Sequence, residues 1–182
     1  MRTLLLLAIA VAGCGHKPSP DEANALVDPT KSPKLHFEVK EAILSPHSKH
    51  EHRLGIVIPV GWSPDDHVRF NSDARDSTAS HGAFTSSCAV DPCSVGDFQA
   101  DIDADLRERD KVVGAKVLRD TKTPTSRFTV TRDVGNRVVI ERHWWRGDSP
   151  DEIFSCSFVI MDDLLASQAA FEKACDLAVV EN

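Results

Sequence analysis

The segment EIFSCSFVI at residues 152–160 is followed by DDLLASQAAFEKACDLAVV at residues 162–180, and together they indicate how the domain folds. In the first segment, apolar residues recur at every second position, which is the period of a strand with one buried face. That face carries Phe154, Cys156, Phe158 and Ile160. The second segment changes to a helical period. Its apolar side carries Leu164, Phe171, Cys175 and Ala178. The helix must therefore pack on the strand that precedes it.

These two periods predict how the cysteines pair. Cys156 lies on the buried face of the strand and Cys175 on the apolar side of the helix, so we expect a disulfide bond between them. In the chain-entropy model such a bond contributes about 3 kcal/mol. The remaining pair, Cys88 and Cys93 in CAVDPC, would close a small loop around Pro92. Its four intervening residues do not match a thioredoxin-like redox motif, so a structural disulfide is preferred to a redox or zinc element.

The rest of the chain contains more strand patterns than helix patterns. One further helix is predicted over residues 96–113, with Phe98, Ile102, Leu106 and Val113 on its apolar side. Gly135 and Asn136 mark a tight hairpin between two of the strands. Strands are predicted at residues 34–44, 52–60, 67–70, 81–87, 115–120, 127–133, 137–145 and 152–160. Most connections are too short for parallel crossovers, so the prediction is an α+β domain with a mainly antiparallel β-sheet covered by two helices.

The segment GIVIPVGW at residues 55–62 carries a family resemblance. A strand that runs into Pro59, Gly61 and Trp62, followed by strands, a helix, a hairpin and a C-terminal helix, resembles the PsbP-like superfamily. The likeness covers most of residues 35–180 in element order. It implies a sheet sandwiched by helices and a role in binding or assembly rather than in catalysis. No functional residue of that family carries over to a matching motif here.

The N-terminal residues have the layout of a secretory signal. One positive charge at Arg2 precedes an apolar run that is too short to span a bilayer as a helix. The run ends in Val11, Ala12, Gly13 and Cys14, which resembles the lipobox of bacterial lipoproteins. That resemblance implies attachment of diacylglycerol to Cys14, cleavage before it, and acylation of the new amine by a fatty acid such as palmitate. The alternative is an ordinary secretory signal followed by a free thiol.

The predicted organisation has three parts. Residues 1–13 form the signal peptide, residues 14–34 the lipidated cysteine with a flexible tether, and residues 35–182 a single globular domain. Gly15, rather than Asp, follows Cys14, and by the family's sorting pattern this favours the outer membrane, with the domain facing the periplasm. We therefore expect the lipid to insert into a bacterial membrane.

Three histidines form a candidate metal site. His47, His50 and His52 fall within SPHSKHEH at residues 45–52, and neutral imidazoles suit Zn²⁺ or Cu²⁺. A periplasmic metal-binding lipoprotein is therefore the alternative function. The competing interpretation is a polar loop without a ligand, because the sequence shows no complete ligand set with fixed spacing.

The segment HWWRGDSPDE at residues 143–152 carries a candidate interface. Adjacent strand residues face opposite sides, so one of Trp144 and Trp145 is expected in the core and the other towards solvent or a partner. An exposed Trp beside Arg146 would suit a binding hot spot. Alternatively, Trp145 only covers the end of the sheet.

Other function classes find little support. The net charge is −7 without a long basic run, which argues against nucleic-acid binding. Position 6 of an EF-hand-like count from Asp97 is Ile102 instead of Gly, which argues against calcium. The chain has no Gly-x-Ser-x-Gly elbow and no Gly-rich phosphate loop, so we predict no catalytic residues. The expected function is that of a lipid-anchored envelope protein that binds or assembles with another envelope protein.

Overall fold

The computed structural model describes residues 18–44, 52–64, 69–71, 80–87, 95–146 and 149–181. The helices are α1 (Asp21–Asn24), α2 (Val95–Asp110) and α3 (Gln168–Asp176), and a 3₁₀ helix over Asp162–Ser167 precedes α3. The strands are β1 (Phe37–Leu44), β2 (His52–Pro59), β3 (Ser63–Pro64), β4 (Arg69–Asn71), β5 (His81–Ser87), β6 (Lys116–Lys122), β7 (Ser126–Arg132), β8 (Val138–Arg146), β9 (Ser149–Ile160) and β10 (Val179–Glu181).

A seven-stranded sheet forms the centre of the domain. Its order is β3-β4-β5-β9-β8-β7-β6, and the neighbouring strands are antiparallel. In the hairpin between β7 and β8, Gly135 and Asn136 both have positive φ values, of 88° and 64°. The side chains of α2 contact one face of this sheet, whereas α3 packs on the other face. The predicted α+β class, with an antiparallel sheet between helices, is confirmed.

A second, three-stranded sheet in the order β1-β2-β10 was not predicted. Its third strand, Val179–Glu181, falls where the sequence pattern predicts the end of the last helix. That helix ends at Asp176, and the β-branched pair Val179 and Val180 then aligns with Gly55 and Leu54 of β2. Pairing with a distant strand overrides the local pattern here, because β2 gains a partner on its second edge.

The core lies on the α3 side of the large sheet. The predicted face of β9, from Phe154 to Ile160, is fully buried at every second residue. Phe171 of α3 packs edge-on against Phe158 and against Phe37 of β1. Cys156 and Cys175 form the predicted disulfide bond, with their Cα atoms 5.6 Å apart. α3 is therefore covalently attached to the central strand and also packs against the small sheet.

The flexible tether predicted for residues 14–34 is corrected for residues 18–34. They fold onto the domain: Asn24 exchanges hydrogen bonds with both backbone groups of Phe37, and the Ser32 hydroxyl donates to the carbonyl of Asp163. Ala23 is fully buried, and Lys173 of α3 pairs with Glu22 at 2.6 Å. The polar composition and the prolines predicted a flexible segment. Instead, these long-range contacts hold residues 18–34 against the domain.

The predicted end of the first long helix is also corrected. α2 ends at Asp110, and Val113, expected on its apolar side, is 94% exposed. Gly114 follows with a φ of 92°, a left-handed conformation that belongs to a turn. Among the described residues, no helix has the length and apolar character needed to cross a membrane.

Candidate functional site

A groove lies beside α3 on one face of the large sheet. The disulfide bond fixes α3 over β9, and in sheet order β8 and β7 separate β9 from β6. Neighbouring strands lie about 4.8 Å apart, so β6 is about 14 Å from β9, which is more than one helix covers. The uncovered end of the sheet face forms the floor of a groove of about 440 Å³.

Strands supply the floor of this groove and helices supply its wall. The floor includes Phe128 and Arg142, which are directly paired across β7 and β8 and so share one face. The lining residues are Leu26, Arg119, Thr121, Thr123, Ser126, Phe128, Arg142, Ala169, Glu172, Lys173 and Asp176. Leu26 comes from the segment predicted as tether, so the folding of residues 18–34 completes the groove. We call this surface the β6 groove.

Arg142 lies at the inner end of the β6 groove. Its Nη1 donates to the carbonyl oxygens of Cys175, Asp176 and Ala178, at 3.2, 2.7 and 3.2 Å. These carbonyls lie at and just after the C-terminal end of α3, where the helix runs out of N–H donors for its last carbonyls. The guanidinium also lies 4.8 Å from the centre of the Trp144 ring. Burial lowers the pKa of Arg142, and the carboxylate of Asp176 opposes that shift.

The outer part of the β6 groove also has its charges paired. Arg119 lies 4.7 Å from the centre of the Phe128 ring and forms an ion pair with Glu172 at 2.9 Å. Lys173 pairs with Glu22 on α1. The β6 groove therefore offers hydrogen-bonding groups and an aromatic floor with little net charge, which suits a polar or protein ligand.

The opposite face of the sheet carries a buried polar layer under α2. Arg127 of β7 is only 2% exposed. Its Nε and Nη2 donate to the two carboxylate oxygens of Asp120, at 2.9 and 2.8 Å, and its Nη1 lies 2.6 Å from Asp103. The hydrogen bond with Asp120 is the main cause that raises the pKa of Arg127. The arrangement is a bidentate pair that ties β6 and β7 to α2.

A Ser–His pair lies in the same layer. The Nδ1 of His143 is 2.7 Å from the Oγ of Ser155, and Phe98 of α2 packs edge-on against the imidazole ring. Burial, together with the nearby Arg127, lowers the pKa of His143 to about 4. Burial also raises the pKa of its neighbour on β8, Glu141. His143 is thus neutral at neutral pH and joins β8 to β9 beneath the helix.

The tryptophan pair differs from the expectation. Both rings are buried, Trp144 being 9% and Trp145 8% exposed. Trp144 stacks on Phe154 with the ring centres 5.9 Å apart. Trp145 donates from Nε1 to the carbonyl of Pro124 at 3.0 Å, because the turn between β6 and β7 folds over it. Neither indole ring faces solvent, so the predicted interface at Trp144, Trp145 and Arg146 has no exposed Trp for a partner to contact.

Several other predicted residues lie outside the part that the structure describes. These are Cys14 and the rest of residues 1–17, His47, His50, Cys88 and Cys93. The backbones of His52 and Arg146 lie in β2 and β8, and the structure does not describe their side chains. Within the described residues, no three His, Cys, Asp or Glu side chains form a group that could hold a metal ion.

Sequence reasoning missed the arginines of both sheet faces. The signal that could have found them is alternation: Arg142 falls in step with Ile140 and Trp144 on the apolar side of its strand. A charged residue in such a position must find internal partners, since isolated buried charges are costly. The sequence does not reveal that these partners are the carbonyls of α3.

The chain is similar to a solved structure but to no known family. No protein-family model matches the chain, and no curated protein sequence matches it. Among solved structures, it is similar to the Ran-binding protein Mog1p of Saccharomyces cerevisiae, with 15% identity and a TM-score of 0.45. The match covers 78% of this chain and 90% of that chain.

Proposed function

We propose that this chain is a lipid-anchored, non-enzymatic binding protein of the bacterial cell envelope, and that the β6 groove receives a segment of another envelope protein. The observation that carries this proposal is the uncovered end of the sheet face beside α3. Membership in the PsbP-like superfamily is part of the proposal, and helices on both faces of the sheet support it. The anchor is the lipid predicted at Cys14, and the outer membrane is its proposed location.

The position of β6 favours an extended protein segment as the ligand. β6 is the last strand of the seven-stranded sheet, and nearly all of its residues are exposed. An edge strand presents unpaired backbone groups to which an extended segment can add by strand pairing. Thr121 and Thr123 line the groove along this edge. A partner segment can thus pair with β6 and place alternate side chains on the aromatic floor.

The same edge carries features that limit unspecific pairing. The register of β6 against β7 shifts between Val117 and Arg119, which marks a bulge. Lys116, Arg119 and Lys122 add positive charge along the strand. Bulges and basic residues discourage an edge from pairing with copies of itself. We therefore expect this edge to accept a specific partner segment and not a second copy of the same strand.

Site-specific photo-crosslinking tests this use of the β6 groove. A photoreactive residue is placed at Thr121 in the groove, and in a control protein at Val113, which is 94% exposed and outside the groove. We expect a discrete crosslinked protein from position 121 alone, and its loss when Arg119→Glu is added. Equal crosslinking from both positions, or none from position 121, would contradict the proposal.

Zn²⁺ or Cu²⁺ binding by His47, His50 and His52 remains the alternative proposal. Calorimetric titration of the folded protein with each metal tests it directly. If these imidazoles bind metal, the wild type releases heat that the variant with all three histidines changed to Ala does not. Identical titration curves for the two proteins would end this alternative.

A further inference from the structure

The described chain begins on the small sheet. Pro18 is buried, and a Cβ atom placed on Gly55 of β2 would lie only 2.9 Å from the Cδ of Pro18. Pro18 therefore occupies the space that a side chain at position 55 would take. The absence of a side chain at Gly55 allows the incoming chain to pack directly on β2. This contact identifies the face of the small sheet from which the N-terminal residues leave.

Two exposed apolar side chains lie on that same face. Gly55 is directly paired with Glu41 of β1, and paired residues point to one face of a sheet. Val39 and Ile43 lie two residues to either side of Glu41, so they share its face. Phe37 shares that face too, but it is buried against Phe171 of α3, so the exposed part of the face is the end of β1 that carries Val39 and Ile43. Val39 is 37% exposed and Ile43 52% exposed, on a strand at the edge of the sheet. Ile43 is paired with Arg53, whose side chain is also exposed on this face.

The distance from Cys14 to this face is short. Pro18 follows Cys14 by four residues, and an extended chain spans at most about 3.6 Å per residue, or about 14 Å in all. Diagonal neighbours across a strand pair lie about 7–8 Å apart, so Val39 and Ile43 are close to Gly55 and Pro18. A lipid on Cys14 would bring the membrane surface within reach of both side chains.

We propose that the β1 face carrying Val39 and Ile43 rests on the lipid bilayer in the anchored protein. This inference depends on the lipid attachment proposed for Cys14. The two apolar side chains enter the boundary between headgroups and acyl chains, as those of interfacial segments do. The charged groups of Arg53 and Glu41, both exposed on this face, remain at the level of the headgroups. The folded segment 18–34 thus leaves the domain seated on the membrane instead of at the end of a long tether.

Tryptophan fluorescence on vesicles tests this orientation. Ile43→Trp and Val134→Trp variants are isolated from membranes, and their acyl mass is verified. Each is then reconstituted into phosphatidylethanolamine and phosphatidylglycerol vesicles that contain brominated phosphatidylcholine, a quencher of nearby indoles. Val134 lies between β7 and β8 and is 57% exposed, which matches Ile43. The native Trp62, Trp144 and Trp145 are buried, so the wild type provides the baseline.

We expect brominated lipid to quench the added emission of the Ile43→Trp variant and to leave that of the Val134→Trp variant unchanged. Equal quenching of the two variants, or none in either, in proteins that float with the vesicles, overturns the orientation and leaves the anchor intact. If the wild type carries no acyl mass and does not float with the vesicles, the result overturns the lipid anchor and, with it, the proposed orientation.

Discussion

At the residue scale, buried polar side chains define this domain as much as its aromatic core does. Arg142 on one sheet face and Arg127 on the other are each held by several oxygen atoms. His143 is a third buried polar side chain, and burial is the main cause of its lowered pKa of about 4. Removing a partner from a buried charge leaves that charge uncompensated, so these residues constrain which helix packs on each face.

The lowered pKa of His143 predicts a pH-dependent stability. Between about pH 6.5 and pH 4 the unfolded chain binds a proton at this residue that the folded chain does not. The free energy of unfolding therefore rises with pH across that window, and the contribution is fully present above pH 6.5. A shift to about 4 corresponds to about 3 kcal/mol lost by the lower end of the window.

The variant His143→Gln isolates this effect. Its neutral side chain cannot take up the proton, so its stability should fall less than that of the wild type between pH 7 and pH 4. Urea unfolding of both proteins at several pH values measures the difference. Carboxylates such as Asp103 and Glu141 titrate in both proteins and cancel from the comparison. Parallel pH profiles for the two proteins would show that His143 is not held neutral by burial.

At the scale of elements, the disulfide bond sets the position of α3 and with it the width of the β6 groove. Alternation in β9 and the helical period after it were sufficient to predict this bond, because both cysteines lie on local apolar faces. The bounds of the elements were less predictable. β10 and the end of α2 depend on pairing and turns that a local period does not contain.

The double variant Cys156→Ala/Cys175→Ala should lose about 3 kcal/mol of unfolding free energy. The lost bond no longer restricts the unfolded chain, and the small residues leave the core slightly underpacked. Denaturant unfolding measures the change, and the wild type with reductant serves as the second reference. A variant as stable as the oxidised wild type would contradict a stabilising role for the bond.

At the scale of the whole molecule, the segment between the proposed lipid and the domain is shorter than the sequence pattern predicts. Residues 18–34 contact α3, β1 and the 3₁₀ helix, so they belong to the domain. The domain could therefore stand close to the membrane. Its β6 groove, partly lined by this segment, would then have a fixed relation to the bilayer.

Substitution of Cys14 tests the anchor itself. Cys14→Ser removes the thiol that accepts diacylglycerol, so we expect an uncleaved or soluble precursor without incorporation of labelled palmitate. Gly15→Asp is the matched variant: it should still be labelled, and by the lipoprotein sorting pattern it should shift to the inner membrane. Membrane fractionation after labelling measures both. Unchanged labelling of the Cys14→Ser variant would contradict the assignment.

The amino-acid sequence alone was enough to predict the α+β class, most of the strands, and the bond between Cys156 and Cys175. All of these follow from periods of two and 3.6 residues within short stretches. The order of the strands, the second sheet, the burial of both Trp144 and Trp145, and the β6 groove became visible in the folded chain. These features depend on which distant segments meet. A local sequence pattern does not show that the carbonyl groups at the end of α3 accept hydrogen bonds from Arg142.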